Sequence, residues 1–182
     1  MSFFGCLALL SAVVSIKSEL IPSDLFLDID GISIAPGTDH VCVIEATNEA
    51  PVGGKIRCWG HDDEYGKIYP PQDEYFVQVV SGQFFSCGIT IEQRVQCWGS
   101  IETGSGTRSG EVAGLFTQLS ADRFAVCGVM TDGRISCWGR SEVVKESRAL
   151  QLDTGHVFVQ VSCAESHCCA LDDEGHPHCW GV

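Results

Sequence analysis

The chain has few cations. Its 182 residues hold 11 Lys and Arg against 24 Asp and Glu, a formal net charge of −13. No basic run occurs, so the clustered Lys and Arg that displace counterions from phosphates are missing, and no nucleic-acid partner is expected. No Gly-x-Ser-x-Gly, phosphate-binding loop or paired-His metalloprotease motif is present, so no catalysis and no cofactor are expected. No apolar run reaches the roughly 20 residues that span a bilayer. The stretch from Phe3 to Ile16 has instead the length of a signal-peptide core, with Ser15 and Ser18 as small residues for cleavage. Residues 1–18 are read as a signal peptide, residues 19–30 as an N-terminal segment, and the mature chain as free of the membrane. The rival reading is an uncleaved anchor, since no Lys or Arg precedes the apolar run.

Cysteine is the abundance that stands out. The chain has 11 Cys. One, Cys6, falls within the leader, and the remaining even number reads as disulfides in an oxidising compartment. A secreted or extracellular location follows.

The sequence repeats itself. Phe76 opens FVQVVSGQFFSCGITIEQRVQCWGS, Phe116 opens FTQLSADRFAVCGVMTDGRISCWGR, and Phe158 opens FVQVSCAESHCCALDDEGHPHCWGV. An earlier copy from Gly31 has a longer central turn. Every copy ends in Cys-Trp-Gly: Cys58-Trp59-Gly60, Cys97-Trp98-Gly99, Cys137-Trp138-Gly139 and Cys179-Trp180-Gly181. The copies are bounded as residues 31–75, 76–115, 116–157 and 158–182. Each reads as short strands, with Val77 and Val79, Ile32 and Ile34, Thr117 and Leu119, and Val159 and Val161 as period-two pairs.

Hairpin counting tests the cysteine spacing. A three-residue loop, Thr131-Asp132-Gly133, sets Met130 opposite Arg134. Counting outward then sets Cys127 opposite Cys137. Opposed Cα atoms in such ladders lie about 4.5–5.5 Å apart, within disulfide reach. Three-residue loops place a left-handed residue last, which suits Gly133. The same logic pairs Cys169 with Cys179, and Cys87 with Cys97 across Ile91-Glu92-Gln93, where Gln93 takes the left-handed site at some cost. Cys42 pairs with Cys58 across the enlarged loop. Cys163 and Cys168 either bridge each other locally or stay free or intermolecular.

At these residues the sequence resembles the regulator-of-chromosome-condensation repeat superfamily. His40, His167, Thr131-Asp132-Gly133 and all four Trp-Gly pairs match its repeat, and Tyr65-Gly66-Lys67-Ile68 resembles its Tyr-Gly-x-Leu segment. The cysteine-stapled form is similar to the ectodomain repeats of crinkly-type plant receptor kinases. The resemblance implies an all-β fold, a β-propeller with typically seven blades of four strands. Only four repeats are present, so an open arc or partial propeller is expected, with self-association through its open ends. The apolar segment Leu25–Ile29 is placed to complete the last blade of a full ring. The four Trp are expected to pack between blades.

The expected function is non-catalytic binding of an extracellular protein or ligand by the loops between strands, which vary on a rigid scaffold. The alternative is a truncated ectodomain of a receptor kinase or other larger protein. The variable insertions are residues 61–75, 100–114 and 140–157. Tyr65, Tyr69, Tyr75 and Phe85 are the first contact candidates, because exposed aromatics dominate contact energy; the alternative is that they are core. His167, His176 and His178 lie near Cys168, Cys169 and Cys179, the residue types of a zinc site. Assigning the cysteines to disulfides leaves no metal site expected there. Asp28-Ile29-Asp30-Gly31 echoes a calcium loop but lacks its closing Glu.

Overall fold

The computed structural model describes residues 33–47, 52–61, 65–101, 110–140, 144 and 155–181. The leader, the Leu25–Ile29 segment and the Asp28–Asp30 motif lie outside them. The described residues form thirteen antiparallel strands in sheets of seven, three and three, which divide into four blades because a single Gly54–Phe76 pairing joins the first two. The first blade is β1 (Ile34–Pro36), β2 (His40–Ala46) and β3 (Gly54–Gly60). The second is β4 (Phe76–Ser81), β5 (Phe85–Thr90), β6 (Val95–Gly99) and β7 (Gly110–Val112). The third is β8 (Phe116–Ala121), β9 (Ala125–Met130) and β10 (Ile135–Gly139), and the fourth β11 (Phe158–Ala164), β12 (His167–Asp172) and β13 (Pro177–Gly181). Strands within a blade pair in chain order.

The hairpin registers follow the loop lengths. Cys127 faces Cys137 and Val129 faces Ile135. Gly133 closes the loop at φ 79°, and Gly175 does so in the fourth blade at φ 86°. Gln93 holds the same site at φ 64°, the one described non-glycine residue with positive φ. That conformation costs a side-chain-bearing residue about 1–2 kcal/mol.

The inner strands depart from the simple alternation. A bulge falls between Phe76 and Gln78, between Phe116 and Gln118, and between Phe158 and Gln160. The extra residue shifts the alternation by one, so that Phe76 and Val79, Phe116 and Leu119, and Phe158 and Val161 are the buried pairs. Val77, Thr117 and Val159, read from the sequence as partners of these residues, lie outside that pairing.

Three apolar clusters join the four blades. Ile44, Ile56 and Cys42 meet Phe76, Val79 and Trp98 between the first two. Ile89, Val95 and Cys87 meet Phe116, Leu119 and Trp138 next. Val129, Ile135 and Cys127 meet Phe158, Val161 and Trp180 last. Each interface is thus one blade's outer-hairpin face against the next blade's inner-strand Phe and Trp. Edge-on ring pairs, Phe76 with Trp98 and Phe116 with Trp138, recur in it.

Backbone ties follow the same step. The Gln78 amide bonds both the N–H and the C=O of Leu119, at 2.7 and 2.9 Å. The Gln118 side-chain Oε1 accepts from the Val161 N–H at 2.7 Å. The Phe116 and Phe158 N–H groups donate to the carbonyls of Gln93 and Gly133.

Among the described residues nothing stacks on the outer face of the first or the fourth blade, so the arc that these residues form is open. Trp59, at the first blade's leading face, is 50% exposed, where Trp98 is 5% exposed. Ile34 on the same face and Val159 on the fourth blade are also exposed. His40 and His167 show the same end effect. His40 is buried and bonds Ser86 of the next blade at 2.9 Å, whereas His167, in the last blade, is exposed.

Candidate functional site

The staple positions come first, because they fix the loops. The structure places five disulfides: Cys42–Cys58, Cys87–Cys97, Cys127–Cys137, Cys163–Cys168 and Cys169–Cys179, with Cα separations of 4.0–4.1 Å. Four cross the outer hairpin of their blade. The fifth ties β11 to β12 in the fourth blade, where Cys163 stands directly opposite Cys168. Trp98 donates its indole N–H to the Lys67 carbonyl at 2.9 Å, which anchors the insertion after the first Trp-Gly. The buried Lys67 ammonium reaches Asp39 at 2.8 Å. That hydrogen bond is the main cause that holds the Asp39 carboxyl below its ordinary value.

With that insertion anchored, Tyr65 closes one side of a cleft between the second and third blades. The cleft has a volume of about 330 Å³ and is lined by Tyr65, Phe84, Phe85, Ser100, Ile101, Arg123, Phe124 and Arg140. Its construction is modular. Phe84 and Phe124 are the same repeat position, just before the second strand of each blade. Ser100 and Arg140 are the residues after each Trp-Gly, and their N–H groups bond the carbonyls of Phe84 and Phe124. Tyr65 sets its ring edge-on to Phe84 at 5.3 Å. Arg123 lies over the Phe124 ring at 5.0 Å and donates from Nε to the Gln83 side chain at 2.7 Å. Asp122 Oδ1 accepts from the Phe124 and Ala125 N–H groups and so fixes the turn that carries Arg123.

Among the described residues, no carboxylate lines the cleft. It therefore combines aromatic faces with two guanidinium groups in a chain of net charge −13. The repeat does not require this. The Arg123 position is Thr38, Gln83 and Glu165 in the other copies, and the Phe124 position is Asp39, Phe84 and Ser166. Aromatic rings offer flat apolar contact, and a guanidinium offers forked donors for a carboxylate.

The contact candidates divide. Tyr65 lines the cleft and Tyr69 stands exposed on the same insertion. Tyr75 is half-buried beneath the Lys55 ammonium, 4.1 Å from its ring centre. Phe85 is a core residue, 2% exposed, because β5 turns its side chain inward; its sequence neighbour Phe84 faces the cleft. Phe84, Phe124, Arg123 and Arg140 escaped the sequence reading. Their signal was a departure from the repeat at turn positions.

The zinc-like set of the fourth repeat does not assemble as read. Cys168, Cys169 and Cys179 are in disulfides, and His167 is exposed. His176 and His178 instead meet His156 and the buried Asp172. His178 Nε2 lies 3.0 Å from Asp172 Oδ2, His156 Nδ1 3.3 Å and His176 Nδ1 3.5 Å. The Asp172 carboxyl is held down to about 2, chiefly by the His178 hydrogen bond.

Blade count, repeat and stapling define the class: a partial β-propeller of the regulator-of-chromosome-condensation type, with its blades stapled by disulfides. Residues 76–100 match the Regulator of chromosome condensation (RCC1) repeat. The chain is 31% identical over 80 residues to the serine/threonine-protein kinase-like protein CCR2 of Arabidopsis thaliana, which covers 37% of this chain and 10% of that protein. Among solved structures it is similar to the ectodomain of the Physcomitrella patens receptor kinase CR4, at 25% identity and a TM-score of 0.63 over 81% of this chain and 38% of that one. It also resembles the CRINKLY WD40 ectodomain of the Arabidopsis thaliana receptor kinase ACR4, at 22% identity and a TM-score of 0.60, over 82% of this chain and 49% of that one. The chain thus spans about a tenth of the curated relative and less than half of either ectodomain.

Proposed function

We propose that this protein is an extracellular, non-catalytic binding module whose cleft between the second and third blades receives an acidic segment carrying an aromatic residue. The observation that carries the reading is the pairing of Arg123 and Arg140 with Tyr65, Phe84 and Phe124 in one cleft of an otherwise acidic chain. An acidic protein repels most anionic ligands at long range, so a local cationic cleft confers selectivity at contact. Five disulfides and the likeness to receptor-kinase ectodomains support an oxidising, extracellular setting. The receptor-ectodomain alternative gains from the match to a kinase-like protein and is compatible with the same cleft.

The test is a peptide array probed with the disulfide-intact chain and with Arg123→Glu. Enrichment of peptides pairing Asp or Glu with Tyr, Trp or Phe is expected, with at least about tenfold weaker binding by Arg123→Glu, as befits loss and reversal of a charge at contact. Preference for basic peptides, or binding untouched by Arg123→Glu, would refute the cleft as the site.

A further inference from the structure

We infer that the fourth blade carries a divalent transition-metal site of the zinc class, formed by His156, Asp172 and His178. The ligand atoms of these three all lie within 4.8 Å of one another. The spacing of the His178 and His156 nitrogens from Asp172 Oδ2 is close to that between neighbouring ligands of one metal ion. Zinc bonds to nitrogen and oxygen of about 2.0–2.1 Å place tetrahedral ligand atoms about 3.3 Å apart. The His178 and His156 nitrogens stand 3.0 and 3.3 Å from that oxygen.

Charge gives an independent reason. Asp172 is 1% exposed. Among the described residues no Lys or Arg pairs with it; its neighbours are imidazoles and backbone N–H groups. A buried carboxylate whose partners are imidazoles and backbone N–H groups, with no permanent cation beside it, is a group that a divalent cation would stabilise by direct coordination. The carboxylate is also pre-oriented. Its Oδ1 accepts from the N–H groups of His176 and Glu174 at 2.7 and 3.1 Å, so Oδ2 is turned toward the rings. Phe158 backs the site, edge-on to His178 at 5.3 Å, while His156 and His176 remain open to solvent as an entry path. The donor set selects the metal. Calcium takes six to eight oxygen ligands, and here one carboxylate meets nitrogen donors, which suit zinc and its neighbours.

Turn architecture does not demand this cluster. The equivalent hairpin of the second blade has Thr90 at the Asp172 position, whose hydroxyl accepts from the Arg94 N–H alone. That of the third has Met130. At the His178 position the other copies have Arg57, Gln96 and Ser136.

Isothermal titration of zinc chloride into the disulfide-intact chain tests the site, with calcium chloride as the comparison cation. His156→Ala and Asp172→Asn are the site variants. Asp172→Asn keeps the side-chain oxygen that caps the turn, and His156 lies outside the blade core. His61→Ala removes a histidine of the first blade as a control. Thermal melts with and without zinc report the same binding as a rise in Tm, because a ligand held only by the native state stabilises it. The expected result is one equivalent of zinc and no calcium bound, with affinity falling at least about tenfold in both site variants and unchanged in His61→Ala. Any other pattern overturns the assignment: no saturable zinc binding, binding retained by either site variant, or binding lost with His61.

Discussion

Gln78 offers the sharpest measure of how the blades hold together. Its amide reaches across to β8 and satisfies both the N–H and the C=O of Leu119. Truncation to Ala leaves both backbone groups without that partner. An unsatisfied buried group costs about 1–3 kcal/mol, and partial burial here puts each near the lower end. The sum is about 2 kcal/mol. For a chain of this size, each kcal/mol moves Tm by about 2–4 °C, so Gln78→Ala should melt about 4–8 °C lower. The fourth blade supplies the control. Gln160 occupies the same repeat position but is exposed, with no described blade beyond it. Gln160→Ala should stay within about 0.5 kcal/mol of the parent. Melts of the disulfide-intact proteins, followed by circular dichroism, decide it. Equal losses at Gln78 and Gln160 would show that the effect is local to the strand, and the inter-blade clamp would be refuted.

Trp98→Ala should cost about 3–5 kcal/mol, as for other large buried side chains, while Trp59→Ala at the open face should cost under about 1 kcal/mol; urea midpoints separate the two, and similar losses would contradict the open leading face. In the chain-entropy model the Cys42–Cys58 bridge contributes about 3 kcal/mol and the shorter Cys163–Cys168 bridge about 2 kcal/mol, so paired Cys→Ser variants should rank in that order by urea midpoint. A reversed order would mean that native-state effects at the two bridges outweigh loop closure.

The outer hairpins were legible because their register has a fixed origin. Once Thr131-Asp132-Gly133 is a three-residue loop, Cys127 has no other opposite than Cys137. The inner strands were not, because a bulge leaves no mark in composition. Val77 and Val79 alternate on paper, and one extra residue near Gln78 reassigns the face, giving Phe76 and Val79. Contact and core stayed open for Phe85 for a related reason, and the structure makes it core. Phe84 and Phe85 are the same residue type, and only the strand's start decides which one turns inward.

The cleft and the histidine cluster were illegible in a different way. Arg123, Arg140, Phe84 and Tyr65 come from two blades and an insertion, and only blade stacking brings them together. His156 precedes β11 while Asp172 and His178 flank the next hairpin, so their meeting depends on the pairing of β11, β12 and β13. The repeat still separates architecture from chemistry once its copies are superposed. Phe76, Phe116 and Phe158 are one residue at one position, and all three are buried between blades. Thr38, Gln83, Arg123 and Glu165 are four residues at one position, each on the turn between the first two strands of its blade. Copies within one chain face the same packing problem, so the packing position converges on one side chain. The turn position meets no such demand. Its divergence there, from hydroxyl to amide to guanidinium to carboxylate, gives each blade a different chemistry on an unchanged frame, and the cationic member of the set falls where the aromatic rings gather.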